Sequence, residues 1–172
     1  DALLALARTS LLLGRGLPTD LIERAFEAES RAEQSIHRSR VGAQVGQWLK
    51  YVDDFDGSRV RLEQALSQSV AVGDESSMPN ELMHLAQLEC WSGNWPLASR
   101  YVTESVELAE QSGQSFGGPP AMRALIDAHL GNVVEARSVE RHLAGAEGTP
   151  LAVPLHRALG FLQLSLGDAA GA

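Results

Sequence analysis

Five histidines, one cysteine and 22 carboxylates are among the side chains of this chain able to do acid–base, nucleophilic or metal chemistry. Metal ligands must converge, which on one helix means spacings of three or four residues. His37, His84, His129, His142 and His156 offer no i, i+4 pair, and His84 and Cys90 stand six apart, well separated around a helix. Asp127 and His129 are two apart, so on a helix they face different ways and form no acid–base couple. Cys90 reads as a small buried apolar group, because a reactive thiol needs an electropositive setting. Glu104, Glu107 and Glu110 make an acidic stripe, which reads as a solvated helix face. Gly14-Arg15-Gly16 lacks the Lys-Ser/Thr that grips phosphate in a nucleotide-binding loop. The expectation is a chain that is not an enzyme, with no metal and no cofactor.

The elements that carry these residues are helices, and they recur. Gly14, Asp53, Gly93, Gly131 and Gly167 mark turns spaced 39, 40, 38 and 36 residues apart, the signature of stacked helical hairpins. A column of small residues precedes the turns (Ala7, Gly46, Ala86, Ala124, Gly160), and a second follows them by five (Thr19, Ser58, Ala98, Ala136, Ala172). Helices approach closely only where side chains are small, so these columns are expected to touch. Two residues after each turn come Gly16, Phe55, Trp95, Val133 and Ala169, expected to pack under it.

In chain order the pattern predicts helices over Ala2–Leu13, from Pro18 to about Ser35, Arg38–Val52, Ser58–Val72, Asn80–Ser92, Pro96–Ser112, Met122–Leu130, Val133–Leu143, and from Leu155. Asp20 and Glu23 read as a capping box ahead of the second. Val70–Val72 reads as the end of an apolar stripe through Leu62 and Leu66. All seven prolines fall at helix starts or between helices, where the roughly 3 kcal/mol penalty of an interior proline is avoided.

Composition narrows the class further. Thirteen Arg and one Lys, Lys50, against 22 acidic residues give a net charge of −8 with the arginines scattered singly. A nucleic-acid module shows a clustered basic face, so no direct nucleic-acid contact is expected. A single cysteine excludes an internal disulfide and points to a reducing, cytoplasmic setting. The apolar runs at the start are broken by Arg8 and Gly14, so no membrane span is expected. The chain opens on Asp1 inside a helical pattern and stops as another helix begins, which reads as a segment of a longer protein.

The repeat consensus resembles the tetratricopeptide repeat, with a longer period than its usual 34 residues, as in tetratricopeptide-like arrays of the MalT type. The stretches GDESSMPNELMHLAQLECWSGNWPLASRYVTESVELAEQSGQ and HRALGFLQLSLGDAAGA resemble the helical-repeat segment of large LuxR-family transcriptional regulators from Arg-rich, Lys-poor actinobacterial proteomes. The resemblance covers most of Asp53–Ala172. It implies an all-α superhelix (a tetratricopeptide-like solenoid) of about five hairpins, the last truncated. They form one domain over 1–172, with hairpins near 1–37, 38–77, 78–117, 118–153 and 154–172. In that family an amino-terminal domain binds ATP and a carboxy-terminal helix-turn-helix binds DNA; this chain matches only the sensor arm between them.

The function so implied is a non-enzymatic scaffold that receives a protein or small-molecule effector in its concave groove. Carried over by column, the groove positions are Gln47, Lys50 and Tyr51, then Met83, Gln87 and Trp91, then Leu125 and His129, and finally Arg157. Tyr51, Trp91 and His129 share one column, two residues before the turn, and read either as an aromatic ligand surface or as wedges between neighbouring hairpins. The alternative from another class is an oligomerisation segment without a small-molecule ligand, forming a homodimer through exposed end hairpins.

Overall fold

The computed structural model describes residues 2–32, 40–113, 118–143, 145–146, 148–149 and 152–171. Asp1, Ser35, His37, Arg38, Pro150 and Ala172, named above, lie outside them. The described residues are helical and contain no strand. The chain divides into two compact units, Asp1–Asp74 and Glu75–Ala172.

The first unit holds α1 (Ala2–Leu12), α2 (Thr19–Ala32), α3 (Arg40–Leu49, continued by a 3-10 turn over Lys50–Val52) and α4 (Phe55–Val72). Asp20 lies inside the first turn of α2, not at its cap, because Pro18 already supplies the carbonyl that accepts from Ile22 N–H. Helix α4 starts three residues before the expected Ser58, since Asp54 caps it by accepting the Gly57 N–H at 2.9 Å. Leu4, Ala7, Ala25, Val41, Val45 and Trp48 form this unit's core.

The second unit holds α5 (Met78–Trp91), α6 (Trp95–Gln111), α7 (Gly118–Leu130), α8 (Val133–Arg137), α9 (Glu140–Leu143) and α10 (Ala152–Ser165). Pro79 and Pro96 sit in the first turns of α5 and α6, and Pro119 and Pro120 in that of α7, where a missing N–H costs nothing. The single helix expected over Val133–Leu143 is broken into α8 and α9. The link tightens into i→i+3 bonds, Ser138 N–H to Glu135 O and His142 N–H to Val139 O, and Val139 turns into the core. Val70 and Val72 are exposed, so the buried stripe of α4 runs through Ser58, Leu62, Ala65 and Ser69 instead.

Each proposed turn is a left-handed residue: φ is 71° at Gly14, 63° at Asp53, 79° at Gly93, 79° at Gly131 and 80° at Gly167. The residue after it donates its backbone N–H back across the helix end in every case. The bonds are Arg15 to Ser10 O (3.0 Å), Asp54 to Leu49 O (3.1 Å), Asn94 to Glu89 O (2.9 Å), Asn132 to Asp127 O (2.8 Å) and Asp168 to Gln163 O (2.9 Å). This six-to-one bond is the Schellman closure, which satisfies an orphan carbonyl and reverses the chain.

The two small columns meet in the second hairpin and are buried together in the third. Ser58 Oγ donates to Gly46 O at 2.7 Å in a buried contact between α3 and α4. A Cβ on Gly46 would stand 3.0 Å from Arg61 Cβ and 3.2 Å from Leu62 Cγ, so no larger residue fits there without displacement. Ala86, Ala98 and Ala124 are buried in one cluster of the second unit. Thr19 departs from the pattern and is exposed. Gly46→Val is expected to destabilise the chain by about 1–3 kcal/mol through overpacking. Urea unfolding followed by circular dichroism checks this; an unchanged midpoint would remove the close approach.

Candidate functional site

The first helices of successive hairpins supply the side chains to be weighed, and the turn register decides which of them point inward. In the second unit, α7 brings Asp127 and α5 brings Glu89 to the same place in their hairpins, four residues before the turn. Both are buried, at 3% and 2% exposure. Each is held by the asparagine just past the turn: Asn94 Nδ2 donates to Glu89 Oε2 at 3.1 Å and Asn132 Nδ2 to Asp127 Oδ1 at 3.2 Å. Asp127 also takes Arg123 Nε at 2.9 Å, and Arg123 reaches across to Thr103 Oγ1 on α6 at 2.9 Å. These carboxylates therefore fasten the turn to the helix it closes, a role no residue-by-residue reading of the sequence assigns them. At the equivalent position after other turns, Asp54 and Asp168 use their carboxylates to cap the following chain instead.

Above these fastenings lies an aromatic group. The His129 ring packs 4.7 Å from Trp95, tilted 33°, and 4.0 Å from Phe161, tilted 35°. Trp95 opens α6 and Phe161 lies on α10, both half-buried, while His129 keeps exposed surface. Burial holds the His129 imidazole below its ordinary range. The column reading pairs His129 with Trp91, but the rings that contact His129 are Trp95 and Phe161. Phe161 had a legible signal: it continues the column Gln47, Gln87, Leu125, each six residues before its turn.

The other groove positions divide by burial. Tyr51 is 51% exposed, Trp91 and Arg157 are exposed, and Gln47 and Met83 are half-buried. Gln87, Leu125 and Lys50 are buried, which withdraws their side chains from a surface. Lys50 stands three residues before its turn, where the next two hairpins have the buried Cys90 and Ala128, so its column is an inward one. At 1% exposure its amine is pushed down by burial to about 7, from an ordinary 10.5. Its ammonium lies 5.5 Å from the centre of the Tyr51 ring.

Cys90 is buried, and burial raises its thiol to about 11, opposed by the charge of Arg157. At neutral pH it is a thiol and a poor nucleophile. Asp127 and His129 go to different partners, as their spacing requires. Glu104, Glu107 and Glu110 are exposed. Among the described residues no three His, Cys, Asp or Glu come together as a metal site, and no helix is long and apolar enough to cross a membrane. No protein-family model, curated protein or solved structure matches the chain.

Two outcomes follow from the buried polar groups. A lysine whose folded pKa is lowered opposes folding below that pKa, and the penalty fades as pH climbs from about 7 to the unfolded value near 10.5. Lys50→Met is therefore expected to stabilise the chain by on the order of 1–4 kcal/mol at pH 7, with the gain shrinking towards pH 10. Urea midpoints across that range check it. Asn94→Asp sets a second carboxylate against Glu89. It is expected to cost about 1–3 kcal/mol at pH 7 and to recover as acid protonates one of the pair, read from thermal midpoints at pH 7 and pH 4.

Proposed function

We propose that the chain is a non-enzymatic helical-repeat scaffold, tetratricopeptide-like, that binds a protein or small-molecule effector. The observation that carries this reading is the convergence of Trp95, His129 and Phe161, one residue from each of three successive hairpins. A surface assembled one side chain per repeat is what a stack of hairpins is suited to present. Partly exposed aromatic rings supply rigid contact area at small entropic cost, which suits them to recognition. Glu89, Asp127 and Cys90, the groups that hydrolytic or thiol chemistry would draw on, are occupied as fastenings or held as an inert thiol.

The resemblance to LuxR-family regulators extends the proposal: the scaffold is a sensor arm, acting beside an ATP-binding and a DNA-binding domain in the full regulator. A second reading is favoured by one observation. Helix α1 exposes Leu6 and Leu12, with Leu13 exposed just beyond it, and α10 exposes Val153 and Leu164. Apolar faces of this kind support association with a second copy. Light scattering across concentration separates that reading, because a constant monomer mass removes it.

The binding reading is tested by thermal shift against sugars, metabolites and peptides, with His129→Ala and Phe161→Ala alongside. A ligand at a hundredfold excess over its Kd is expected to raise Tm by roughly 5–10 °C, and either substitution to abolish the rise while helical content is kept. A rise that survives both substitutions would move the site elsewhere, and the absence of any rise would leave the rings as packing.

A further inference from the structure

The first unit holds a cavity of about 130 Å³ between α2, α3 and α4, lined by Phe26, Ala43, Arg61, Gln64, Ala65 and Gln68 among others. Arg61 is fixed at both ends. Its Cβ lies against α3 at Gly46, where there is no room for another carbon, and its guanidinium sits 5.0 Å from the centre of the Phe26 ring. Arg31 and Arg59 pair with Glu27 and Asp56 on their own helices, and Arg123 with Asp127. Among the described residues no carboxylate pairs with Arg61. On α2, Glu29 accepts the Val41 N–H at 3.0 Å.

We propose that this cavity binds the carboxylate of a short aliphatic acid, either free or as the side chain of a peptide glutamate. A guanidinium within cation–π reach of an aromatic ring keeps its planar fork of N–H donors, the geometry that matches a carboxylate. Gln64, exposed at the rim, adds an amide donor, and Phe26, Ala43 and Ala65 offer apolar wall to a short carbon chain. At about 30 Å³ per water the volume equals roughly four waters, room for a ligand of about six heavy atoms. A single guanidinium in a chain of net charge −8 suits a monoanion, whereas a phosphate dianion would be left with one negative charge unmatched.

The test is a titration of the ¹⁵N-labelled chain with butyrate, with a capped glutamate (N-acetyl, C-amide) and with inorganic phosphate, followed by NMR. Saturable shifts are expected at the amides of residues 42–43 and 64–68, with Kd on the order of 1–10 mM for so small a ligand. Arg61→Gln is expected to weaken binding at least tenfold. Gln64→Glu, at an exposed position three residues on from Arg61, is expected to do the same, by repelling the ligand and by competing for the Arg61 guanidinium. Shifts from butyrate identify a free acid as the source, and shifts from the capped glutamate alone identify a peptide. No saturable shift from either, equal binding by both variants, or phosphate binding as tightly as the carboxylates would overturn the proposal.

Discussion

Everything in this chain hangs on a backbone hydrogen bond that closes each hairpin. A residue in the left-handed region ends the first helix, and the next N–H reaches back to the carbonyl five residues earlier. The bond reverses the chain within two residues, and the reversal is what lets the small columns meet. Gly46 and Ser58 show the consequence at closest range, where a hydroxyl meets a carbonyl with no side chain between the helices. Four of the five turns use glycine, which adopts this conformation without steric cost, and one uses Asp53, a residue type that tolerates it.

The closure also decides what the polar residues around it can do. A side chain four residues before the turn lies over the reversal, within reach of the residue just after it. Glutamate or aspartate there is met by asparagine, whose side-chain amide donates to the buried carboxylate. Where aspartate follows the turn, it caps the next segment through its own carboxylate instead. The same register carries Lys50 inward to a position that suits Cys90 or Ala128, and the lowered amine pKa is the electrostatic consequence of that placement.

What the sequence made legible was local. Turn positions, proline placement and the small columns are short-range patterns with one physical reading each, and the helices follow from them to within a few residues. Tertiary features were less so. The break between α8 and α9 carries no glycine or proline; it follows from burying Val139. The column of Tyr51, Trp91 and His129, a ligand surface or a set of wedges, does not reveal the partners of His129, because a column says which residues are equivalent and not which ring in the next hairpin lies nearest. Phe161 was recoverable by carrying the Gln47, Gln87, Leu125 column one repeat further. Lys50 falls in the groove when positions are carried over by column from repeat arrays, whereas its equivalents in the next two hairpins, a buried cysteine and alanine, mark an inward position. The cavity beside Arg61 depends on three helices at once and left no trace in any single stretch.

The closure is the claim on which the rest stands, and amide hydrogen exchange measured by NMR tests it most directly. The amides of Arg15, Asp54, Asn94, Asn132 and Asp168 fall in segments that a loop reading leaves open to solvent. Each of them is expected to exchange slowly, at least on the order of a hundredfold below the unstructured rate, because each is a donor in a closed helix end. Exchange at the unstructured rate across these five positions, with the helix interiors still protected, would contradict it.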